Sequence, residues 1–227
     1  MFVLTNDDGI DAPGLQALQH AIQQLGLEAV VVAPRDHLSG CGHQVTTTRP
    51  ILVEQRSERA FAIAGTPADC VRLAISHLVP EARWILSGIN SGGNLGADVY
   101  ISGTVAAVRE AALHRLPGIA FSHYRQGQRE IDWHNAAQLV CQVLQRLLSQ
   151  QPQPGSFWNV NLPHLPIGAA QPQIVFCAAC TQPLPITYQT NGHAFFYAGK
   201  YSERSRDPGA DVDVCFSGNI SVTNLYL

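Results

Sequence analysis

The constraint that narrows the fold most is an alternation of period along the first third of the chain. Phe2 to Thr5 is a short apolar run, and Leu15, Leu18, Ile22 and Leu25 then recur at spacings of three and four before Gly26. The next run, Ala29-Val-Val-Val-Ala33, is apolar at every position. A continuous β-branched run is the pattern of a strand covered on both faces, whereas the three-and-four spacing puts one apolar stripe on a helix. Pro13 suits the first helical turn and Gly26 the end. The pattern predicts a strand–helix–strand unit, and with it a parallel sheet flanked by helices.

The same alternation continues. Residues 44 to 64 hold two Thr/Val/Ile runs split by Gln55-Arg56-Ser57-Glu58-Arg59, which predicts an antiparallel hairpin on the flank of the sheet. Thr66-Pro67-Ala68-Asp69 joins a capping hydroxyl, a Pro in the first turn and a carboxylate three residues on. A helix is expected there, with Val71, Ala74, Ile75 and Leu78 on its buried face. Trp84-Ile85-Leu86 reads as a strand running into a Gly-rich segment, Ser87 to Gly103, followed by an Ala-rich helix from Thr104 to about Arg115 and a strand from Gly118 to Phe121. Asp132 caps a further helix in which Ala136, Leu139, Val140, Val143, Leu144 and Leu147 keep the helical period. After Gln151-Pro-Gln-Pro-Gly155 short β-rich runs take over, and Asn191-Gly192 predicts a hairpin turn between Ile186–Tyr188 and Phe195–Tyr197.

A chain of 227 residues, 46% apolar and 14% charged, fits one large domain or a core with a small appendage, and is too apolar to stay disordered. Its formal charge of −3 leaves no positive excess for a polymeric nucleic acid. The N-terminus meets two carboxylates before any basic or long apolar stretch, and no run reaches the ~18 apolar residues of a membrane span. A cytoplasmic protein with no membrane partner is expected. The six Cys are scattered, and Cys177-Ala-Ala-Cys180 has no second ligand pair in sequence. It reads as two strand-end thiols in preference to a zinc or redox site.

Ligands of such sheets sit outside the carboxyl ends of the parallel strands. Three segments at those ends carry chemistry: Asn6-Asp7-Asp8-Gly9, Arg35-Asp36-His37-Leu38-Ser39-Gly40, and Ser87-Gly-Ile-Asn90 through Ser102-Gly-Thr104. They should meet in space. Two carboxylates at ~4 Å repel by about 4 kcal/mol at an effective dielectric near 20. Asp7 and Asp8 therefore need a counter-charge or a shared proton, and a divalent cation meets that need; a solvated turn is the alternative. Ser39 and Asn90 add a hydroxyl and an amide oxygen, an all-oxygen set suited to Mg²⁺, Mn²⁺ or Ca²⁺. Glycines at 88, 92, 93, 96 and 103, with a helix start at Ser102-Gly103-Thr104, make an anion cradle, for which phosphate is the obvious occupant; a flap with capping residues is the alternative. The segment is neither GxxxxGK[ST] nor GxGxxG. His37 and His43 flank the Ser39 loop and read as surface or supporting groups.

These residues carry a resemblance. Thr5-Asn-Asp-Asp-Gly-Ile, Val31-Val-Ala-Pro34 with Ser39-Gly40, Gly65-Thr-Pro-Ala-Asp-Cys70, Leu86-Ser-Gly-Ile-Asn90 through Asn94-Leu-Gly96 and Ser102-Gly-Thr104, and Asn159-Val-Asn-Leu-Pro163 together resemble the SurE family of metal-dependent nucleoside-monophosphate phosphatases. The resemblance implies an α/β, Rossmann-like three-layer core with a mostly parallel sheet over residues 1–163. It implies a β-rich extension over 164–227, part of the same domain and used in forming a homodimer or homotetramer. It implies one divalent ion, Mg²⁺ or Mn²⁺, on Asp7, Asp8, Ser39 and Asn90, with phosphate facing Gly40, Asn94, Ser102, Gly103 and Thr104. Asp7, Asp8 and Asn94 are the implied catalytic residues. The implied activity is hydrolysis of nucleoside 5′- and 3′-monophosphates, with short polyphosphate as a side substrate. Gly93 stands where the family usually has Pro, and Asn224 where Pro is usual. Two other readings stay open. An aspartyl-phosphate route would make Asp7 a nucleophile, although Gly9 occupies the place of the second acid that chemistry wants. The other is a non-hydrolytic, metal-linked nucleotide sensor.

Overall fold

The computed structural model describes residues 1–227 except 128, 151 and 167. Position 151 of the Pro-rich linker thus lies outside the described residues. The first unit forms as its pattern dictates: β1 (Phe2–Thr5), α1 (Pro13–Gln24) and β2 (Ala29–Pro34), with β1 and β2 parallel. The expected flanking hairpin is narrower than 44–64. Only β3 (Val53–Ser57) and β4 (Ala60–Ile63) pair antiparallel, so Gln55 to Ser57 are strand, and β4 alone joins β2, in parallel. All of β3 is exposed, which lets polar residues serve as an edge strand.

Thr66 caps α2 (Pro67–Leu73) with the expected reciprocal bonds to Asp69. The regular helix stops at Leu73, and Ala74–Leu78 widens into one π-helical turn. β5 (Trp84–Ser91) runs five residues past the expected strand end, so Asn90 belongs to a strand and not to a loop. Gly88 permits this, since its φ is +128° and a Cβ there would lie 2.2 Å from the Phe121 carbonyl oxygen. α3 (Gly103–Leu113), β6 (Gly118–His123), α4 (Trp133–Leu147) and β7 (Ser156–Leu162) follow, α4 capped by Asp132.

The last segment contributes β8 (Ile174–Phe176), the hairpin β9 (Tyr188–Asn191) and β10 (Ala194–Tyr197), α5 (Asp211–Phe216) and β11 (Ile220–Tyr226). Asn191 pairs with Ala194, so the hairpin turns on Gly192-His193, one residue later than expected. α5 was not legible in a stretch read as strands. The main sheet has the order β3-β4-β2-β1-β5-β6-β7-β11-β8. From β4 to β7 every neighbour is parallel, whereas β11 runs antiparallel to β7 and parallel to β8. Helices α1 and α4 bury Leu15, Leu18, Ile22, Val140, Val143 and Leu144 on one face. Cys70, Val71, Ala107 and Ala111 of α2 and α3 cover the other face. The result is a three-layer α/β fold with a mostly parallel central sheet.

Candidate active site

Backbone bonds gather the three segments at the carboxyl edge. Ile10 N donates to Pro34 O (2.8 Å) and Leu38 N to Asp7 O (2.7 Å), fastening the β1 and β2 loops together. Gly9, with φ +103°, makes the turn after the acid pair, while Asn6 Nδ2 donates to Gly9 O at 2.8 Å. Gly14 sets α1 directly on β5, because a Cβ there would lie 1.9 Å from Ile89 O.

Asp7 is buried and points at the start of α3, where Thr104 Oγ1 donates to its Oδ1 at 2.5 Å. A Cβ on Gly103 would lie 2.8 Å from Asp7 Cβ and 2.9 Å from Oδ2, so the helix start is seated against the carboxylate. Burial raises the Asp7 carboxyl to about 6, with Asp8 adding to the rise and the Thr104 hydroxyl opposing it. Asp8 is half-buried and takes contacts from both other segments. Ser39 Oγ reaches its Oδ1 at 3.5 Å, Ser91 N donates to its Oδ2 at 3.3 Å, and His37 Nδ1 lies 3.4 Å from Oδ1. Among the described residues no Lys or Arg pairs with either carboxylate.

Asn90 Nδ2 donates to Gly92 O at 2.9 Å, which leaves the amide oxygen as its available donor to a cation. Ser39 and Gly40 are exposed, on a loop whose side chains reach Asp8 through Ser39 Oγ (3.5 Å) and His37 Nδ1 (3.4 Å). Two carboxylates, a hydroxyl and an amide oxygen suit a hard cation; among the described residues no three His, Cys, Asp or Glu side chains are grouped to hold a metal. Asn6 Oδ1, just after β1, and Ser87 Oγ, on β5 opposite Thr5, are buried without hydrogen-bond partners among the described residues. The site is thus over-supplied with negative and oxygen donors.

Asn94 is buried and held at every backbone and amide N–H named here. Its N donates to Asn161 Oδ1 (2.8 Å) and its Nδ2 to Ser122 Oγ (2.7 Å), while its carbonyl accepts from Asn159 Nδ2 (2.7 Å) and Asn161 Nδ2 (3.1 Å). The supporting role of Asn159 and Asn161 was missed in the sequence. The signal was present, since in Asn159-Val-Asn161 alternation puts both amides on one face of a strand. Ser102 accepts from Val105 N (3.1 Å) as the cap of α3, and Thr104 spends its hydroxyl on Asp7. Ser102 to Thr104 form the helix start, and Thr104 turns both its hydroxyl and its backbone N–H to Asp7. The Cys177 and Cys180 thiols are free. Beside Asp8 opens a cavity of about 530 Å³, lined by Asp8, His37, Ser91, Ile131 and Trp133 among others.

The family model described as survival protein SurE matches residues 2–183. The chain belongs to the SurE family. A chain from Nostoc sp. (strain PCC 7120 / SAG 25.82 / UTEX 2576), named as a candidate 5′-nucleotidase, is 58% identical over 98% of this chain and 98% of its own. The 5′-nucleotidase SurE of Paramagnetospirillum magneticum (strain ATCC 700264 / AMB-1) is 34% identical over 98% of this chain and 88% of its own. The crystal structure of the SurE protein from Aquifex aeolicus superposes with a TM-score of 0.86 at 31% identity, covering 99% of this chain and 92% of that one. SurE membership and the fold read from the sequence motifs therefore agree with the family model, the relatives and the solved structure.

Proposed function

We propose that this SurE-family 5′-nucleotidase works with one divalent cation, Mg²⁺ or Mn²⁺, on Asp7, Asp8, Ser39 and Asn90, and hydrolyses nucleoside 5′- and 3′-monophosphates to nucleoside and phosphate. The observation that carries the reading is the seating of a buried carboxylate, Asp7, against the N-terminus of α3, with Asp8 opening onto the adjoining cavity. A helix start with free N–H groups accepts a phosphate, and an uncompensated acid pair accepts a cation. When bound, such an ion offsets the carboxylates, polarises a phosphoryl oxygen and acidifies a water.

The chain's own groups do the rest. The N–H of Gly103 at the start of α3 binds an equatorial phosphoryl oxygen, while Ser122 accepts from the Asn94 side-chain amide and Asn159 and Asn161 hold the Asn94 backbone carbonyl in place. Asp8, half-exposed and next to His37, is the carboxylate open to take a proton from an attacking water. Thr104 fixes the rotamer of Asp7, so that Oδ2 remains for the cation. Short polyphosphate fits as a side substrate, because its terminal phosphate is also a tetrahedral anion.

No helix among the described residues is long and apolar enough to cross a membrane, which supports the cytoplasmic reading. A homodimer or homotetramer is supported by the β9–β10 hairpin, which holds Tyr188, Phe195, Phe196 and Tyr197 exposed, away from the main sheet. Phosphate release from AMP is the deciding assay: turnover with Mg²⁺ or Mn²⁺, none with chelator, and none from D8N are expected. Undiminished turnover in chelator refutes the cation. Burst-free kinetics and no borohydride-trapped aspartate separate it from the aspartyl-phosphate route.

A further inference from the structure

The segment that carries Ser39 is a strap held at its two ends. At the near end Leu38 N donates to Asp7 O at 2.7 Å. At the far end Thr66 Oγ1 donates to Gln44 O at 2.6 Å, and Thr46 N and Oγ1 donate to the two oxygens of Asp69 at 2.8 and 2.7 Å. Between Leu38 and His43 the backbone bond made among the described residues is Cys41 N to Leu38 O, at 3.1 Å. Gly40 and Gly42 stand there with φ of +76° and +59°, and nothing lies within 4 Å of a Cβ on either. Residues 39–42 are thus the weakly held part of the strap, and Ser39 Oγ stands 3.5 Å from Asp8 Oδ1.

His43 closes that span. Its ring meets α3, where Nε2 lies 2.7 Å from Oε2 of the buried Glu110. Burial alone would raise the Glu110 carboxyl, but His43, Arg72 and His114 hold it at about 2, so at neutral pH Glu110 only accepts and His43 Nε2 carries the hydrogen. The other carboxylate oxygen takes Arg72 Nε at 2.6 Å and His114 Nε2 at 3.1 Å, which leaves Oε2 to the strap. Glu110 lies two turns beyond Gly103 on the same helix, about 10 Å along its axis. Near the helix start the strap meets α3 again, because a Cβ on Gly103 would come within 2.9 Å of Cys41 Sγ. The strap therefore runs along the helix whose start is seated against Asp7. We propose that His43 and Glu110 are positioning residues for the cation site: their bond ties the strap to α3 and sets how closely Ser39 Oγ stands to Asp8. The inference rests on the proposed cation and adds to it what holds the most loosely attached of its ligands. A short bond to an ionised acceptor is strong and directional, which suits it to fix the position of a span that its own backbone leaves loose.

The test titrates the full chain with Mn²⁺ in a calorimeter, without substrate. H43L keeps the bulk of the ring and loses the donor, H43N loses the reach with a polar side chain, and H43Q restores a donor. H114A removes a Glu110 partner without touching the strap. H43L and H43N should bind Mn²⁺ about tenfold more weakly than the wild type, equivalent to about 1.4 kcal/mol, with H43Q within about threefold of it and H114A unchanged. With AMP, H43L should lose turnover at low Mn²⁺ and regain the wild-type kcat at saturating Mn²⁺, whereas a merely structural role would lower kcat at every concentration. In chelator, the amide hydrogens of residues 39–42 should exchange faster in H43L than in H114A or the wild type. Mn²⁺ binding by H43L and H43N as tight as the wild type's, an equal loss in H114A, or a kcat deficit that saturating Mn²⁺ leaves in place overturns the proposal. A wild type that binds no Mn²⁺ refutes the cation and the positioning role with it. That result differs from failure of the positioning role alone, in which the wild type and H43L bind Mn²⁺ equally.

Discussion

Replacing Asp7 by Asn should stabilise the cation-free protein while abolishing its activity. The Asp7 carboxyl is raised from 3.8 to about 6 because burial, with Asp8 beside it, disfavours its charge. A carboxyl raised on folding is most favourable to the fold while protonated, so its contribution is present below 3.8 and is lost as pH rises through about 6. At about 1.4 kcal/mol per pH unit the loss levels off near 3 kcal/mol above pH 7, with about half already incurred at pH 5. Asn keeps an oxygen for the Thr104 hydroxyl and carries no charge to desolvate. In chelator at pH 8, D7N should therefore unfold roughly 5–10 °C above the wild type, and the gap should shrink toward pH 4. Mn²⁺ should raise the wild-type midpoint and leave D7N unmoved, since a ligand that binds only the folded site stabilises it. Thermal melts across pH 4–8, with and without Mn²⁺, check this. A D7N protein less stable than the wild type at pH 8, or a gap that widens toward acid, would refute the electrostatic argument.

Three further perturbations read other parts of the same frame. G103A would place a methyl 2.8 Å from Asp7 Cβ and 2.9 Å from Cys41 Sγ, so a loss of about 1–3 kcal/mol in urea melts and at least tenfold in kcat is expected; full activity would show that the helix start can back away. R204M removes a buried guanidinium that meets Asp98 Oδ2 at 2.9 Å and Leu95 O at 3.3 Å, leaving Asp98 to Tyr201 and one backbone N–H. A cost of about 3–5 kcal/mol, seen as a fall of roughly 10 °C or more in Tm, is expected, and a shift under 2 °C would contradict it. Burial alone would raise the Glu110 carboxyl, but His43, Arg72 and His114 around it hold it down at about 2. Its stabilisation is thus present above pH 4.5 and lost as pH falls toward 2, so E110Q should flatten the acid limb of the stability profile; an unaltered limb would clear Glu110 of that role.

What could be read from the sequence was what is encoded locally. The stripes of α1 and α4, the Thr66–Asp69 capping box and the Asp132 cap are complete within a few residues, and each forms where its pattern lies. The acid pair, the Ser39 loop and the start of α3 were expected to meet because parallel strands deliver their following loops to one edge, and the Leu38, Ser39 and Thr104 bonds to Asp7 and Asp8 bear this out. Ser87-Gly-Ile-Asn90 carries turn chemistry, yet pairing of Ser87 with Ala120 and of Asn90 with Ser122 on the neighbouring strand makes it part of β5, a tertiary effect no local window contains. Nor does any window show that β11 enters between β7 and β8, because strand order is decided by pairs far apart in sequence. Thr104 was legible as part of the site but not in its task, since which way a hydroxyl turns depends on the partner that burial brings to it.

The C-terminal segment acquires a functional meaning from where its polar groups go. Asp98, in the stretch between Asn94 and Ser102, is gripped by Tyr201 and Arg204. The buried Asp211 accepts from Gly96 N (2.8 Å), Cys180 N (2.8 Å) and Val212 N (2.8 Å). From the other side, Asn159 and Asn161 of β7 hold the Asn94 backbone. Residues 94–98 are therefore clamped between the sheet and the extension before any ligand arrives, which is the condition under which fixed dipoles stabilise charge without reorganising. The opposite wall is different in kind. Ser39 is exposed and reaches Asp8 only at 3.5 Å, and His37 beside it is exposed too. On the proposed reading, a cation drawing Ser39 onto the acid pair would tighten a side chain that backbone bonds such as Leu38 N to Asp7 O leave loose, whereas the phosphate wall would already be in place.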